Sequence, residues 1–173
     1  MDEKLELLKR RLMACFIDCV LIGTLSILAH IPLRIIGLPQ LIEILMSGMI
    51  FLFFGFLVLA KDGPTWFIDF LRGQSPGKKA FGIIVVKPDG KTNITFKESI
   101  IRNIPLGIPY FIAVFCQAVR IIPFISGFLL FFAFLGFLVS LVIILVETLL
   151  IYKDPEGRRW GDKQAETKVV AYD

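Results

Sequence analysis

In the run RRLMACFIDCVLIG, Asp18 follows Arg11 by seven residues. On a helix that spacing is about 10 Å of rise and a rotation within about 20° of the same face. A carboxylate in an apolar span costs roughly 2.5 to 3.5 kcal/mol at mid-bilayer, so Asp18 needs a partner or water. Helical side chains lean toward the N-terminus, which turns Asp18 toward Arg11 but Arg11 away from it, so direct pairing is borderline. Glu147, six residues before Lys153, falls at a similar depth in another apolar run, and Arg102 and Asp162 stand at the edges of two further segments. Arg11, Asp18, Arg102, Glu147 and Asp162 could therefore meet in one polar cluster. Such a cluster can lock elements together, or it can bind and release a proton or small cation through shifted pKa values.

A second motif is GQSPGKK, with Gly73, Ser75, Pro76, Gly77 and Lys78. It resembles a phosphate loop but fails on spacing: three residues separate the glycines where four are needed, and Lys79 stands where a magnesium-binding hydroxyl should. Ser75 instead suits a helix cap with Pro76 in the first turn. His30 reads as a surface residue. Cys15, Cys19 and Cys116 read as small apolar packing residues and imply neither a metal site nor a disulfide framework. No Ser/His/Asp set, Cys/His pair or carboxylate-rich metal motif is present, so the expectation is no enzyme, cofactor or metal.

The elements that must position these residues are dictated by apolar content. At 56% hydrophobic residues in a chain of 173, there is more apolar surface than one soluble core needs. Runs near the length of a bilayer span cover 12–29, 41–60, 104–119 and 124–152. If all four cross, then of 19 basic residues only Arg34 and Arg120 face outward. That distribution predicts cytoplasmic termini, a cytoplasmic insert over 61–103 and a cytoplasmic tail over 153–173. A three-span arrangement would export the basic tail. Asp18 inside the first run, with no cleavage motif after it, argues for a retained helix and against a signal peptide.

The net charge of +4 is dispersed among 15 acidic residues with no basic helix, which argues against nucleic acid as a partner. Within the insert, Trp66, Phe67, Phe70 and Leu71 beside Asp69 and Arg72 predict a short interfacial helix. FGIIVV and KTNITF around KPDG predict a β-hairpin. Asn93-Ile94-Thr95 matches a glycosylation acceptor but falls on the cytoplasmic side. In the fourth run, Gly136 and Ser140 have small-xxx-small spacing suited to close helix contact, which offers a surface for a second copy.

RLMACFID, GQSPGKKAFGIIVVKPDG, IIRN and RRWGDKQAETKVV occur in the order of the RDD family's motifs, and the chain resembles that family of small bacterial membrane proteins over nearly its whole length. The resemblance implies that Arg11, Asp18 and Asp162 are the family's arginine and two aspartates, with Arg102 the arginine of its Leu-Arg-Asn. Ser75 stands for the usual threonine, Gly161 for a histidine common before the second aspartate, and Glu166 for a glycine. Transport, including cation/proton exchange, is proposed for some members.

The expectation is an all-α membrane protein: one membrane domain over 1–173, a four-helix transmembrane bundle whose cytoplasmic loop contains a short interfacial helix and a β-hairpin. It would sit in the bacterial cytoplasmic (inner) membrane, in contact with the lipid bilayer, as a homo-oligomer that transports a small cation or proton. The alternative is a non-transporting adaptor that docks a protein partner at the cytoplasmic face through insert and tail.

Overall fold

The computed structural model describes residues 2–64, 74–122 and 128–172. Four long helices form the body: α1 (Asp2–Ile36), α2 (Gln40–Ala60), α4 (Phe96–Val119) and α5 (Leu129–Lys153). Each is long and apolar enough to cross a membrane. Two short helices, α3 (Pro76–Ala80) and α6 (Trp160–Gln164), and two strands, β1 (Ile83–Val86) and β2 (Lys168–Ala171), gather at one end. The predicted interfacial helix, and Gly73 of the glycine motif, lie outside the described residues.

The body is apolar outward. Phe131, Phe134, Phe137 and Leu145 on α5 are all exposed. A helix apolar all round is stable in lipid, where its backbone groups are satisfied internally. Small residues let the helices approach: a Cβ on Gly55 would lie 3.0 Å from Tyr110 Cβ, and one on Gly107 would lie 2.8 Å from Leu59 Cδ2. Gly136 packs on Ile112 of α4 in the same way, so this small residue is used within the chain.

The third long helix starts at Phe96, eight residues before the apolar run predicts. Its start is a capping box: Thr95 Oγ1 accepts from Glu98 N and Glu98 Oε2 accepts from Thr95 N at 2.6 Å. That cap draws residues 96–103, with Lys97, Glu98, Ser99 and Asn103 among them, into the helix and carries Arg102 into the interior. Pro105 and Pro109 are accommodated inside it.

The β-hairpin forms only at its turn, where Lys87 N donates to Thr92 O at 2.9 Å. β1 pairs antiparallel with the tail strand β2, Val85 opposite Val169, and only one bridge, Val86 to Asn93, remains of the expected ladder. Two causes favour the tail. Thr95 is committed to the cap of α4, and Lys168–Ala171 offers Val169 to a small core of Ala14, Ile83, Val85 and Ile94. Tyr172 closes the join, its N–H donating to Gly82 O at 2.9 Å and its hydroxyl to Gln74 Oε1 at 3.2 Å.

Candidate functional site

Ser75 has extended dihedrals and its Oγ accepts from Lys78 N, so α3 starts with Pro76 in its first turn. This places Gly77 directly on α1. Gly77 N donates to Asp18 Oδ1 at 2.8 Å, and a Cβ there would stand 2.1 Å from Ala14 O. Asp18 is buried at 2% exposure, and its second oxygen takes Lys61 Nζ at 3.1 Å. Its partners are thus the insert and the end of α2, and Arg11 is not among them.

Arg11 reaches the tail. Its Nη2 lies 2.5 Å from Asp162 Oδ2, and its Nη1 donates to Gly157 O. Asp162 also accepts from Arg159 Nε at 3.2 Å and faces Arg102 Nη2 at 3.1 Å, so three guanidinium groups surround one carboxylate. α6 comes this close because residue 161 is glycine: a Cβ would lie 2.0 Å from Arg102 O. Position 161 has no room for any side chain.

Asp62, just past α2, is fully buried and is the second anionic centre. Lys78 Nζ donates to it, Asn103 Nδ2 donates at 3.0 Å, and Arg102 Nε stands 3.3 Å away. Asn103 Oδ1 in turn accepts from Arg159 Nη2 at 2.6 Å, which ties the two centres together. Glu147 on α5 pairs with Arg159 at 3.7 Å, and its Oε2 has no hydrogen-bond partner.

All five predicted cluster residues therefore lie in one region, with Asp18 on a different anchor from the rest. Sequence reasoning missed Lys61, Asp62, Asn103 and Arg159, and placed Lys78 in the cytoplasmic motif without its burial. The available signal was position: Lys61 and Asp62 end an apolar run at the depth of Asp18, and Arg159 sits three residues before Asp162.

Burial alone would raise the Asp62 carboxyl, but Lys78, Arg102 and Lys61 outweigh it and hold it well below the usual range. Asp162 follows the same pattern, with Arg102, Arg11 and Arg159 overcoming burial. Lys61 is pulled down by burial but raised on balance by Asp18 and Asp62. Lys78 is different: burial dominates over Asp62, with Arg102, Lys61 and Arg159 adding repulsion, and its ammonium is lowered to about 7.

Between α1, α4 and α5 the cluster lines a pocket of about 80 Å³. Arg11, Asp18, Lys61, Arg102 and Glu147 reach it, beside Leu106 and Ile144. Among the described residues no group of three or more His, Cys, Asp or Glu side chains could hold a metal ion.

At the opposite end Arg34 and Arg120 converge on one carboxylate, Glu43, at 3.3 Å and 3.5 Å. His30 is no mere surface residue: its Nδ1 lies 2.7 Å from Ser26 O and its Nε2 3.0 Å from Ser47 Oγ, joining α1 to α2. The backbone carbonyl can only accept, so Nδ1 carries the proton and Nε2 accepts from the serine.

Four apolar helices whose charged side chains are folded inward at one end make a multi-pass helical membrane protein. The RDD family model matches residues 6–166, and the chain belongs to the RDD family. No curated protein and no solved structure gives a match to it.

Proposed function

We propose that the protein is a small ion transporter of the bacterial cytoplasmic membrane, with both termini and the insert on the cytoplasmic side, and that the ion it handles through its own carboxylates is the proton. One observation carries this reading: Asp18 and Glu147, from two different membrane helices, line the same pocket, and Glu147 Oε2, 3.7 Å from Arg159 Nε, accepts no hydrogen bond there. A buried, unbonded carboxylate oxygen is a group that can gain and lose a proton. The surplus of cations around the cavity weighs against a free metal cation. The charge asymmetry of the two faces supports the orientation. Four helices enclose little space, so the working unit is assigned to more than one copy.

The adaptor reading is not favoured. Lys78, one of the two lysines it would offer to a partner, is buried on Asp62, and β2 is engaged by β1.

Purified protein in liposomes carrying a pH-sensitive dye tests the transport reading. Wild type should dissipate an imposed proton gradient, and Glu147→Gln should slow it at least tenfold while the protein stays folded. A gradient that persists with folded wild-type protein ends this reading.

A further inference from the structure

We propose that the cavity against Arg102 is a binding site for one monovalent anion of halide size. Arg11, Lys61, Lys78, Arg102 and Arg159 bring five cations whose side chains are at most 10% exposed. Against them in the cluster stand four carboxylates, Asp18, Asp62, Glu147 and Asp162, also at most 9% exposed, while a fifth buried carboxylate, Asp154, is taken by the more exposed Lys163 and Arg158. Each carboxylate has a cation within 3.7 Å, so with Lys78 protonated pairing leaves one positive charge over. A buried uncompensated charge costs several kcal/mol and must take a counter-ion or lose a proton.

Arg102 is where the surplus is exposed. Its Nη2 faces Asp162 and its Nε lies 3.3 Å from Asp62 without a hydrogen bond, and Nη1, on a side chain 1% exposed, has neither an ion pair nor a hydrogen-bond partner among the described residues. A buried guanidinium N–H without an acceptor is costly, and an anion is the acceptor that also cancels the charge. The cavity of about 80 Å³ has room for a small ion with a few waters and not for an organic substrate. Leu106, Ile144 and Ile151 in its wall keep the dielectric low and strengthen the attraction.

Glu147 opposes the anion unless it is protonated. It faces Arg159 and Asp162 from α6 and the tail and Arg11 from α1, while Lys78 faces Asp62, Lys61, Arg102 and Arg159. An entering anion therefore draws a proton onto Glu147 or Lys78, so anion and proton occupy the site together. As the identity of a transported species this rests on the transport reading; as a binding site it is measured without flux.

The full-length protein in phosphatidylcholine nanodiscs, titrated with sodium chloride against sodium gluconate at constant ionic strength, tests the site through broadening of the chloride NMR resonance. Saturable broadening is expected. Lys61→Gln removes the surplus and should weaken binding roughly tenfold or more, and Glu147→Gln enlarges it and should tighten binding by a similar factor. Opposite shifts cannot come from general loosening, so the test survives an Arg102 variant that fails to fold. Absence of saturable chloride binding, or shifts of the same sign in both variants, overturns the proposal. So does occupancy by inorganic phosphate alone, or only in discs containing anionic lipid, which would assign the site to phosphate or a headgroup. Chloride binding without proton flux upholds the site and removes the transport reading; proton flux indifferent to chloride, with no binding, does the reverse.

Discussion

Arg11 and Asp162, 151 residues apart in the chain, meet with Nη2 2.5 Å from Oδ2. The contact fastens the tail to the first helix, and α4 joins it through Arg102. Charges that are isolated along the sequence are thus partners in the interior, where losing one leaves the others uncompensated.

The cost of such a loss should follow the number of partners stranded. Asp162→Asn leaves Arg11, Arg102 and Arg159 facing a neutral amide and should destabilise by about 3 to 5 kcal/mol. Arg11→Met leaves Asp162 with two arginines and should cost clearly less. Thermal unfolding in micelles orders the two; equal or reversed losses would contradict the three-to-one arrangement.

Two glycines are required by close approach. Gly77→Ala would put a Cβ 2.1 Å from Ala14 O, and Gly161→Ala one 2.0 Å from Arg102 O, both backbone atoms of long helices that cannot step aside. Each should lose about 1 to 3 kcal/mol by overpacking. Gly161→His should lose at least as much. Gly48, with open space around its Cβ position, is the control: Gly48→Ala should leave the melting temperature unchanged or raised.

The pairing of β1 with the tail can be trapped chemically. Ile84 and Val170 are direct antiparallel partners, and both are half-buried, so in a background without the native cysteines Ile84→Cys with Val170→Cys should form a disulfide under mild oxidation. Ile84→Cys with Asn93→Cys, the pairing that a hairpin closed by residues 87–90 would require, should not. The reverse pattern would restore the hairpin.

The long helices were legible because apolar runs of bilayer length have few alternatives. The cap at Ser75 and the gathering of Arg11, Asp18, Arg102, Glu147 and Asp162 were legible too, the first from local chemistry and the second from depth along the spans. The partners were not. Asp18 reaches Lys61 and Gly77, and no local rule in the sequence says which cation a buried carboxylate will find. The strand FGIIVV was visible, but its partner was chosen by a shared core with Val169 and by the competing cap at Thr95, both of which are long-range facts. Ser47 was likewise invisible as the partner of His30, because it lies on the next helix.

The pH response should centre on Lys78. Its folded value, about 7, lies below its ordinary 10.5, so between those values the unfolded chain holds a proton there that the folded chain has released. Stability should therefore rise with pH from about 7 to 10.5 and gain nothing from this group below 7. Asp62 and Asp162 are depressed, so their contribution is fully present above the ordinary carboxylate range and does not vary across this window. Lys78→Met removes the titrating group, and the slope of unfolding free energy against pH between 7 and 10 should flatten. Chloride adds a second signature: an anion beside Arg102 favours the protonated ammonium, so the midpoint should move upward in chloride relative to gluconate, and chloride affinity should fall as pH rises past that midpoint. A slope that persists in Lys78→Met, or a midpoint blind to chloride, would separate Lys78 from the cavity.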